Sequence, residues 1–470
     1  MSLAPAREAG SARPVSLVRV GRQITALAAP IAGVQFAQVA LTTTDLAMMG
    51  LIGVPAIAGG GLALALYDMM RTTCVGAVTA VGNLVASAAS AGEARCGADG
   101  LDAPARAELH QITRSSFLVA TAAAVLLGAA LIALGYLLPL FGVDEDALAL
   151  ARPMMIAMAP GLVPMVWLNV LRQFAVGMRR PGSLLTISVF AVAVNAALDI
   201  AFIRGVAGFP KLGLVGIGLA TTLVQTLMVV VFYSLLRRDD QLASLLAIDG
   251  WNAHTATARR LLGLGIPISL TYGSEAGFTS LAAVVVGVFG PVMLAAFNVV
   301  THLTRIAFQI SIGLSHASSI LISRVLGQGN RERVQQIAAV ALVLGAITTV
   351  IIGVLYVTAP TWVLRPFLGP AAAPATMLLA KLFLLFAIAQ QMVEFTQNIA
   401  IGLLRGMGNT TTGVRATTIG YWVIGLPMTL LLAFSAGLRG LGVWIGLSTG
   451  FAATTALLLR QFRRELARTT

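Results

Sequence analysis

The sequence is long, apolar and poor in charge. Its 470 residues are 58% hydrophobic and only 10% charged, and its mean hydropathy is +0.90. Because soluble domains carry roughly 25% charged residues, this composition excludes a soluble protein and predicts an all-α protein that crosses a membrane many times. The net charge of +13 would also suit nucleic-acid binding, so the positions of the basic residues matter.

Twelve apolar segments follow one another along the chain, each long enough to cross a bilayer core as a helix. They span about residues 24–46, 55–86, 115–139, 149–171, 183–203, 213–236, 262–289, 292–323, 335–358, 375–401, 414–435 and 440–461. The longest polar connection, at about 237–261, divides the twelve segments into two sets of six.

The basic residues fall mostly on one side of these predicted spans. Both tails and the even-numbered connections hold 23 of the 31 basic residues. By the positive-inside rule that side faces the cytoplasm, which predicts a bacterial inner-membrane protein with both termini cytoplasmic and no nucleic-acid partner. The predicted parts are a cytoplasmic N-terminal arm (1–23), an N-lobe (24–236), a cytoplasmic linker (237–261), a C-lobe (262–461) and a cytoplasmic tail (462–470).

The two halves of the chain resemble each other. LAAPIAG (27–33) opens the first span and LGIPISL (264–270) opens the seventh, while GLVGIGLATT (213–222) is similar to GLGVWIGLST (440–449). Two pseudo-symmetric six-helix lobes with a site between them are typical of a secondary transporter. Pro30 and Pro267 hold matching places in the two halves, and we expect them to bend the first and seventh spans.

Five carboxylates remain inside the predicted spans, although a charge at a helix centre costs roughly 2.5 to 3.5 kcal/mol. They are Asp45, Asp68, Asp199, Glu275 and Glu394. Such residues face a cavity, a partner or a transported ion. For each of them the alternative is an interhelical hydrogen bond or an ion pair, above all for Asp68, because Arg71 lies one turn further on.

Polar residues recur at helical spacing around four of these carboxylates. The first and fifth spans predict an N-lobe pocket of Gln35, Gln38, Thr42, Asp45, Asn195 and Asp199. The seventh and tenth spans predict a C-lobe pocket of Thr271, Glu275, Thr279, Gln390, Glu394, Gln397 and Asn398. Each half thus has its own polar pocket, which we expect to be built from its first and fifth helices.

Buried carboxylates suit cation coupling, because burial disfavours the charged form while a bound cation favours it. We predict ion or proton coupling at Asp45, Asn195, Asp199, Glu275 and Glu394, with Na+ as an alternative to a proton at the two glutamates. Substrate contact or cavity lining is predicted for Gln35, Gln38, Asp68, Tyr272, Gln390, Gln397, Asn398, His302 and Arg305.

The sequence patterns that mark common enzymes do not apply to this chain. Neither Lys211 nor Lys381 lies in a phosphate-binding loop, so neither ATP nor another cofactor is expected. The GxSxG match at 446–450 lies in an apolar span and lacks the strand-to-helix elbow that the motif requires. His316 is interpreted as a core histidine.

Several ordered motifs resemble the multidrug and toxic compound extrusion (MATE) family, in its NorM-like branch, over nearly the whole chain. The most specific are NIAIGLLRGMGNTTTG (398–413), YWVIGLPMTLLLAF (421–434) and GVWIGL (442–447), and TDLAMMG (44–50), NLVASAASAGE (83–93) and LGIPISLTYGSEAGF (264–278) are also similar. The resemblance implies that Asp45 is the family's span-one aspartate, Glu275 its span-seven glutamate and Glu394 its span-ten acid, followed by Gln397. It also matches Asn195 and Asp199 to a pair found in proton-coupled members.

Several positions depart from the family pattern, among them Glu394 in place of the usual aspartate and the unusual pair of Asp68 with Arg71. Asn409 replaces an aspartate, and His302, His316 and Arg305 stand where the branch usually has uncharged residues. The predicted function is secondary active efflux of a small organic compound, cationic or amphipathic, in exchange for Na+ or H+, by alternating access of a monomer in a lipid bilayer. The alternatives are a lipid-linked precursor or natural-product flippase of the same superfamily and, from other classes, an intramembrane enzyme or a passive channel.

Overall fold

The computed structural model describes residues 17–96, 100–141, 145–180, 184–206, 208–247, 249–368 and 374–469. Residues 1–16, which form most of the predicted N-terminal arm, lie outside this part of the chain. Helix α1 already begins at Leu17, and the last helix runs to Thr469 through the predicted tail.

The first half of the described chain is a bundle of long helices. Its members are α1 (Leu17–Ile52), α2 (Val54–Thr79), α3 (Val81–Cys96), α4 (Ala103–Leu137), α5 (Glu145–Met158), α6 (Leu162–Gly177), α7 (Leu184–Arg204) and α8 (Leu214–Arg237). Helices α2 and α3 follow each other across a turn at Ala80 and act as one span, as α5 and α6 do across Ala159–Gly161. These eight helices form the N-lobe.

The second half repeats this arrangement after a short linker that contains α9 (Asp240–Ala243). Its helices are α10 (Thr255–Gly287), α11 (Pro291–Gly327), α12 (Glu332–Thr358), α13 (Pro360–Leu368), α14 (Pro374–Gly406), α15 (Thr411–Thr417), α16 (Leu426–Leu430) and α17 (Arg439–Thr469). Two π-helical stretches, Thr418–Gly425 and Leu431–Ser435, join α15 and α16 into one span. These helices form the C-lobe, and the linker proper is shorter than the predicted 237–261.

Eleven helical segments of the described chain are long and apolar enough to cross a membrane. The seventh predicted span, α10, is 33 residues long but falls outside this set, because polar residues such as Glu275 interrupt its apolar sequence. With α10 the chain has the predicted all-α architecture. Side chains such as Leu126 and Ile351 lie exposed on the outer surface, as expected of helices that face lipid.

The lobes contact each other in one half of the bundle. We call this the terminal side, because it holds both Leu17 and Thr469. There the buried Asn83 Nδ2 donates to Ser319 Oγ at 2.7 Å and to Ser323 Oγ at 3.1 Å. Arg324 in the C-lobe pairs with Glu93 and donates to the carbonyl of Gly177, both in the N-lobe.

Small residues allow α2 and α10 to cross closely where the lobes meet. A Cβ on Gly265 would lie 2.2 Å from the carbonyl oxygen of Ala77, and one on Gly76 would lie 2.6 Å from the Cα of Ser269. The Ser269 hydroxyl donates to the Thr73 carbonyl at 2.8 Å in the same crossing. The backbones therefore touch directly, and neither glycine position has room for a side chain.

Polar contacts hold the linker beneath the N-lobe. Arg180 Nη1 lies 2.5 Å from Asp239 Oδ2, and Arg114 Nε lies 2.8 Å from Asp249 Oδ1. His110 contacts the Ser244 carbonyl at 2.7 Å. The linker is thus docked rather than a free tether.

Acid is expected to loosen this docking. The hydrogen bonds from Arg114 and Asn252 lower the pKa of Asp249 from its ordinary 3.8 to about 2. The ionised form therefore stabilises the docked linker above pH 3.8, and this contribution is lost as the pH falls towards 2. At neutral pH, Asp249→Asn should speed hydrogen–deuterium exchange of the linker amides, whereas Asp240→Asn, at an exposed position, should not. Unchanged exchange in the Asp249 variant would contradict the assignment.

Candidate functional site

The N-lobe pocket brings together three residues that the sequence predicts to share a site. Asn195 Nδ2 donates to Asp45 Oδ1 at 2.6 Å and to Asp199 Oδ2 at 3.0 Å, and all three side chains are buried. Thr221 Oγ1 donates to Asp45 Oδ2 at 3.3 Å. One amide therefore bridges two carboxyl groups, contributed by α1 and α7.

Several oxygen atoms around this pocket have no hydrogen-bond partner within the described chain. They are Asp199 Oδ1, Tyr67 Oη and Gln225 Oε1, all buried. Gln38, Asp45, Tyr67, Asn195 and Gln225 line one cavity. Because buried polar oxygens normally have partners, this arrangement leaves ligand positions for a proton or a cation.

The C-lobe pocket is built around Glu275. Gln397 Nε2 lies 3.4 Å from Glu275 Oε2 and 2.6 Å from Tyr421 Oη, and Tyr421 Oη is itself 3.4 Å from Glu275 Oε2. Glu394 lies within electrostatic range of Glu275 and is held by Gln390. The carbonyl oxygens of the Gln390 and Gln397 side chains are buried without a partner among the described residues. Of the predicted residues, Glu275, Glu394, Gln390 and Gln397 thus come together, whereas the hydroxyls of Thr271 and Thr279 donate to backbone carbonyls of α10.

The four pocket carboxylates lack cationic partners. Among the ion pairs between described residues, none involves Asp45, Asp199, Glu275 or Glu394. Asp68 differs, because Arg71 Nε and Nη2 both contact its Oδ1, at 2.9 and 2.6 Å. Asp68 therefore forms the ion pair given as its alternative, whereas Asp45 and Glu275 form interhelical hydrogen bonds, the other alternative.

The predicted cavity-lining residues fall into several environments. Asp68 and Gln38 line the N-lobe cavity. Arg305 is exposed and lies within electrostatic range of Asp68 in one lobe and Glu394 in the other, so it faces the space between the lobes. The ring of His302 packs 5.5 Å from that of Phe367. Asn398 is buried, and its amide donates to Ser311 Oγ at 3.1 Å.

Gln35 and Tyr272 each contact a buried arginine. Arg172 Nη1 donates to Gln35 Oε1 at 3.1 Å, and Arg405 Nη1 donates to Tyr272 Oη at 3.1 Å. The charge pattern counts Arg172, Arg324 and Arg405 with the cytoplasmic connections. The structure corrects their placement, because all three lie within helices and their side chains are buried.

The expectation that both pockets use the first and fifth helices of their lobe is also wrong for Glu394. Helix α14 is the fourth span of the C-lobe, and the fifth span contributes Tyr421 instead. Helices α1 and α10 run through Pro30 and Pro267 without interruption, so a bend at either proline stays a prediction. Tyr421 and Thr221 carry no assigned role in the sequence analysis, although both lie in motifs quoted there.

Known proteins resemble this chain in sequence along most of its length. The sequence model of the MatE family matches residues 30–201 and 267–431, one match in each lobe. A probable multidrug resistance protein NorM of Pseudomonas aeruginosa is 33% identical over 456 residues, covering 96% of this chain and 91% of that protein. Its counterpart in Bradyrhizobium diazoefficiens is 32% identical over 440 residues, covering 93% and 92%.

Solved structures share the fold. The crystal structure of the eukaryotic MATE transporter AtDTX14 superposes with a TM-score of 0.80 at 18% identity, covering 97% of this chain and 100% of that one. A multidrug resistance MATE transporter in an outward-facing conformation gives a TM-score of 0.82 at 18% identity, covering 97% and 99%. The chain therefore belongs to the MATE family, whose members are membrane transporters and not enzymes.

Proposed function

We propose that this protein is a secondary active efflux transporter that expels organic compounds, cationic or amphipathic, in exchange for Na+ or H+. The observation that carries the proposal is the pair of carboxylate pockets, one in each lobe. Three of the four acids are buried and Glu275 is half-buried, and none of the four forms an ion pair with a described arginine or lysine. A buried carboxyl group without a nearby cation favours its neutral form. Each pocket acid must therefore hold a proton or, when it is ionised, a bound cation. The names of the bacterial relatives support multidrug substrates.

Alternating access accounts for the one-sided contact between the lobes. The Asn83 and Arg324 contacts close the terminal side, so the space between the lobes faces the opposite side. With the termini in the cytoplasm of a bacterium, this is an outward-facing state of an inner-membrane protein. Efflux then requires these contacts to break while the opposite ends of the lobes approach each other.

The two pockets supply oxygen ligands of the kind that Na+ and protons both accept. In the C-lobe, Glu275 and Glu394 together with the free Gln397 oxygen would hold Na+ or a proton. In the N-lobe, Asp45 and Asp199 share the single amide of Asn195, which suits one proton or cation between them. We infer that each lobe has its own coupling site and that a monomer suffices.

Dye efflux from proteoliposomes tests this function. The purified protein is reconstituted, and a panel of fluorescent cations is followed under an imposed pH gradient, an imposed Na+ gradient, or neither. Transport that depends on one gradient supports the proposal and identifies the coupling ion. Dye movement that needs neither a pH gradient nor a Na+ gradient would indicate a passive channel. Movement of lipid-linked precursors but of none of the dyes would indicate a flippase. Either result would contradict the proposal.

A further inference from the structure

One buried arginine in each lobe lies within electrostatic range of the same histidine, His316. Arg172 lies on α6 in the N-lobe and is 9% exposed, and Arg405 lies on α14 in the C-lobe and is 3% exposed. His316 on α11 is within electrostatic range of both, and Arg172 is within the same range of Tyr272, the residue that Arg405 contacts. One cluster of residues from both lobes thus contains Arg172, Arg405, His316 and Tyr272, and the last two connect the arginines.

The cluster repeats the symmetry of the lobes. Both arginines follow a leucine on the fourth span of their lobe, and each contacts a polar residue on the first span. The partners are Gln35 and Tyr272, which stand five residues after Pro30 and Pro267 respectively. The approximate axis that relates the lobes therefore passes between the arginines.

Neutral groups alone hold both guanidinium groups. Arg172 contacts Gln35 and the side-chain oxygen of Asn169, and Arg405 contacts Tyr272 and Ser315 Oγ, the latter at 3.1 Å. No carboxylate of the described residues forms an ion pair with either arginine, and Arg405 Nε is buried without any hydrogen-bond partner. The nearby charged group that acts on Arg172 is another cation, Arg71.

Two buried cations without an anion are unfavourable, because removing a guanidinium from water is repaid only by a well-placed negative partner. We propose that Arg172 and Arg405 bind an anionic group of the transported compound, a carboxylate above all, at the lobe interface. The planar fork of arginine suits a carboxylate, which it can contact through two parallel hydrogen bonds. The substrate class is then a zwitterion or an amphipathic acid, in addition to simple cations. This inference rests on the proposed efflux function.

A matched pair of dyes isolates the anionic group. One dye carries a free carboxylate, and the other is the methyl ester of the same dye, so the two differ only in the proposed ligand. Wild-type proteoliposomes should transport both. Arg172→Gln and Arg405→Gln should each raise KM for the carboxylate dye by about tenfold while KM for the ester changes little, because a charge-assisted hydrogen bond is lost. Arg172→Lys and Arg405→Lys should retain part of the preference.

A third buried arginine provides the control. Arg324 also lies at the interface, but it pairs with Glu93, so Arg324→Gln should change the transport of both dyes equally. Ester transport within each glutamine variant shows that the variant is folded. Replacing chloride by methanesulfonate, which carries no carboxylate, tests a small inorganic ion as the ligand, and an equal effect of this exchange on both dyes would overturn the substrate assignment.

The outcomes separate this inference from the function on which it rests. If the wild type transports neither dye under any gradient, the efflux function fails. If the wild type transports the ester but not the carboxylate dye, or if both glutamine variants impair the two dyes to the same extent, efflux stands and the anion site is wrong. A selective loss of the carboxylate dye supports the site.

Discussion

Glu275→Gln is expected to abolish gradient-driven efflux while the protein still folds. Glu275 is the acid that Gln397 and Tyr421 both contact, and Glu394 lies close enough to act on it. An amide fills the same space, but it cannot exchange a proton and offers Na+ a weaker oxygen ligand. Dye efflux should therefore fall to the rate of protein-free vesicles, and Glu394→Gln should have the same effect.

Two comparisons test the assignment of Glu275. Glu332→Gln changes an exposed glutamate at the start of α12 and should leave efflux at the wild-type rate. Tyr421→Phe should lower efflux only in part, because Gln397 still contacts the carboxylate. Efflux at the wild-type rate in Glu275→Gln would remove that residue from the coupling site, and loss of binding to fluorescent substrate in detergent would indicate misfolding instead.

Gly265→Val should prevent the lobes from closing on the terminal side. A Cβ at this position would lie 2.2 Å from the Ala77 carbonyl oxygen, a backbone atom that no rotamer change can move. The variant must therefore separate α10 from α2, which also breaks the Ser269 contact to Thr73. We expect efflux to fall to background, with the population shifted towards the state that is open on the terminal side.

Thiol labelling measures this shift. In a background with Cys74 and Cys96 replaced by alanine, Ser319→Cys places a single thiol at a contact that is buried between the lobes. A water-soluble maleimide should label this thiol slowly in that parent and rapidly when Gly265→Val is added. Gly263→Val is the matched control, since a Cβ at Gly263 meets nothing within 4 Å. Equal labelling of the parent and both valine variants would show that the crossing does not control closure.

Helical periodicity predicts much of the site. The polar face of the first span and the one-turn spacing of Asn195 and Asp199 predict the group in which Asn195 contacts both Asp45 and Asp199. The spacing that groups Gln397 with Glu394 likewise places Gln397 against Glu275. Residues on one regular helix share a face whatever the tertiary packing, so this information is local to the sequence.

Tyr421 shows where periodicity fails. It lies in the π-helical stretch Thr418–Gly425, where the regular spacing of an α-helix no longer tells which side chains share a face. The sequence does not predict the buried arginines, for another reason. A charge count treats Arg172 and Arg405 as marks of the cytoplasmic side, whereas their burial depends on how the helices pack in three dimensions. The signal that the sequence does carry is the repeated leucine–arginine pair on the fourth span of each half.

The glycine crossing of α2 and α10 also bears on the entropy of the transport cycle. At Gly76 and Gly265 the lobes meet backbone to backbone, so separating them frees no rotamers at these positions and rejoining them freezes none. A crossing of large side chains would lose that conformational freedom at every closure and regain it at every opening. The contact can therefore form and break repeatedly with little rearrangement of side chains, as a reversible transport cycle requires.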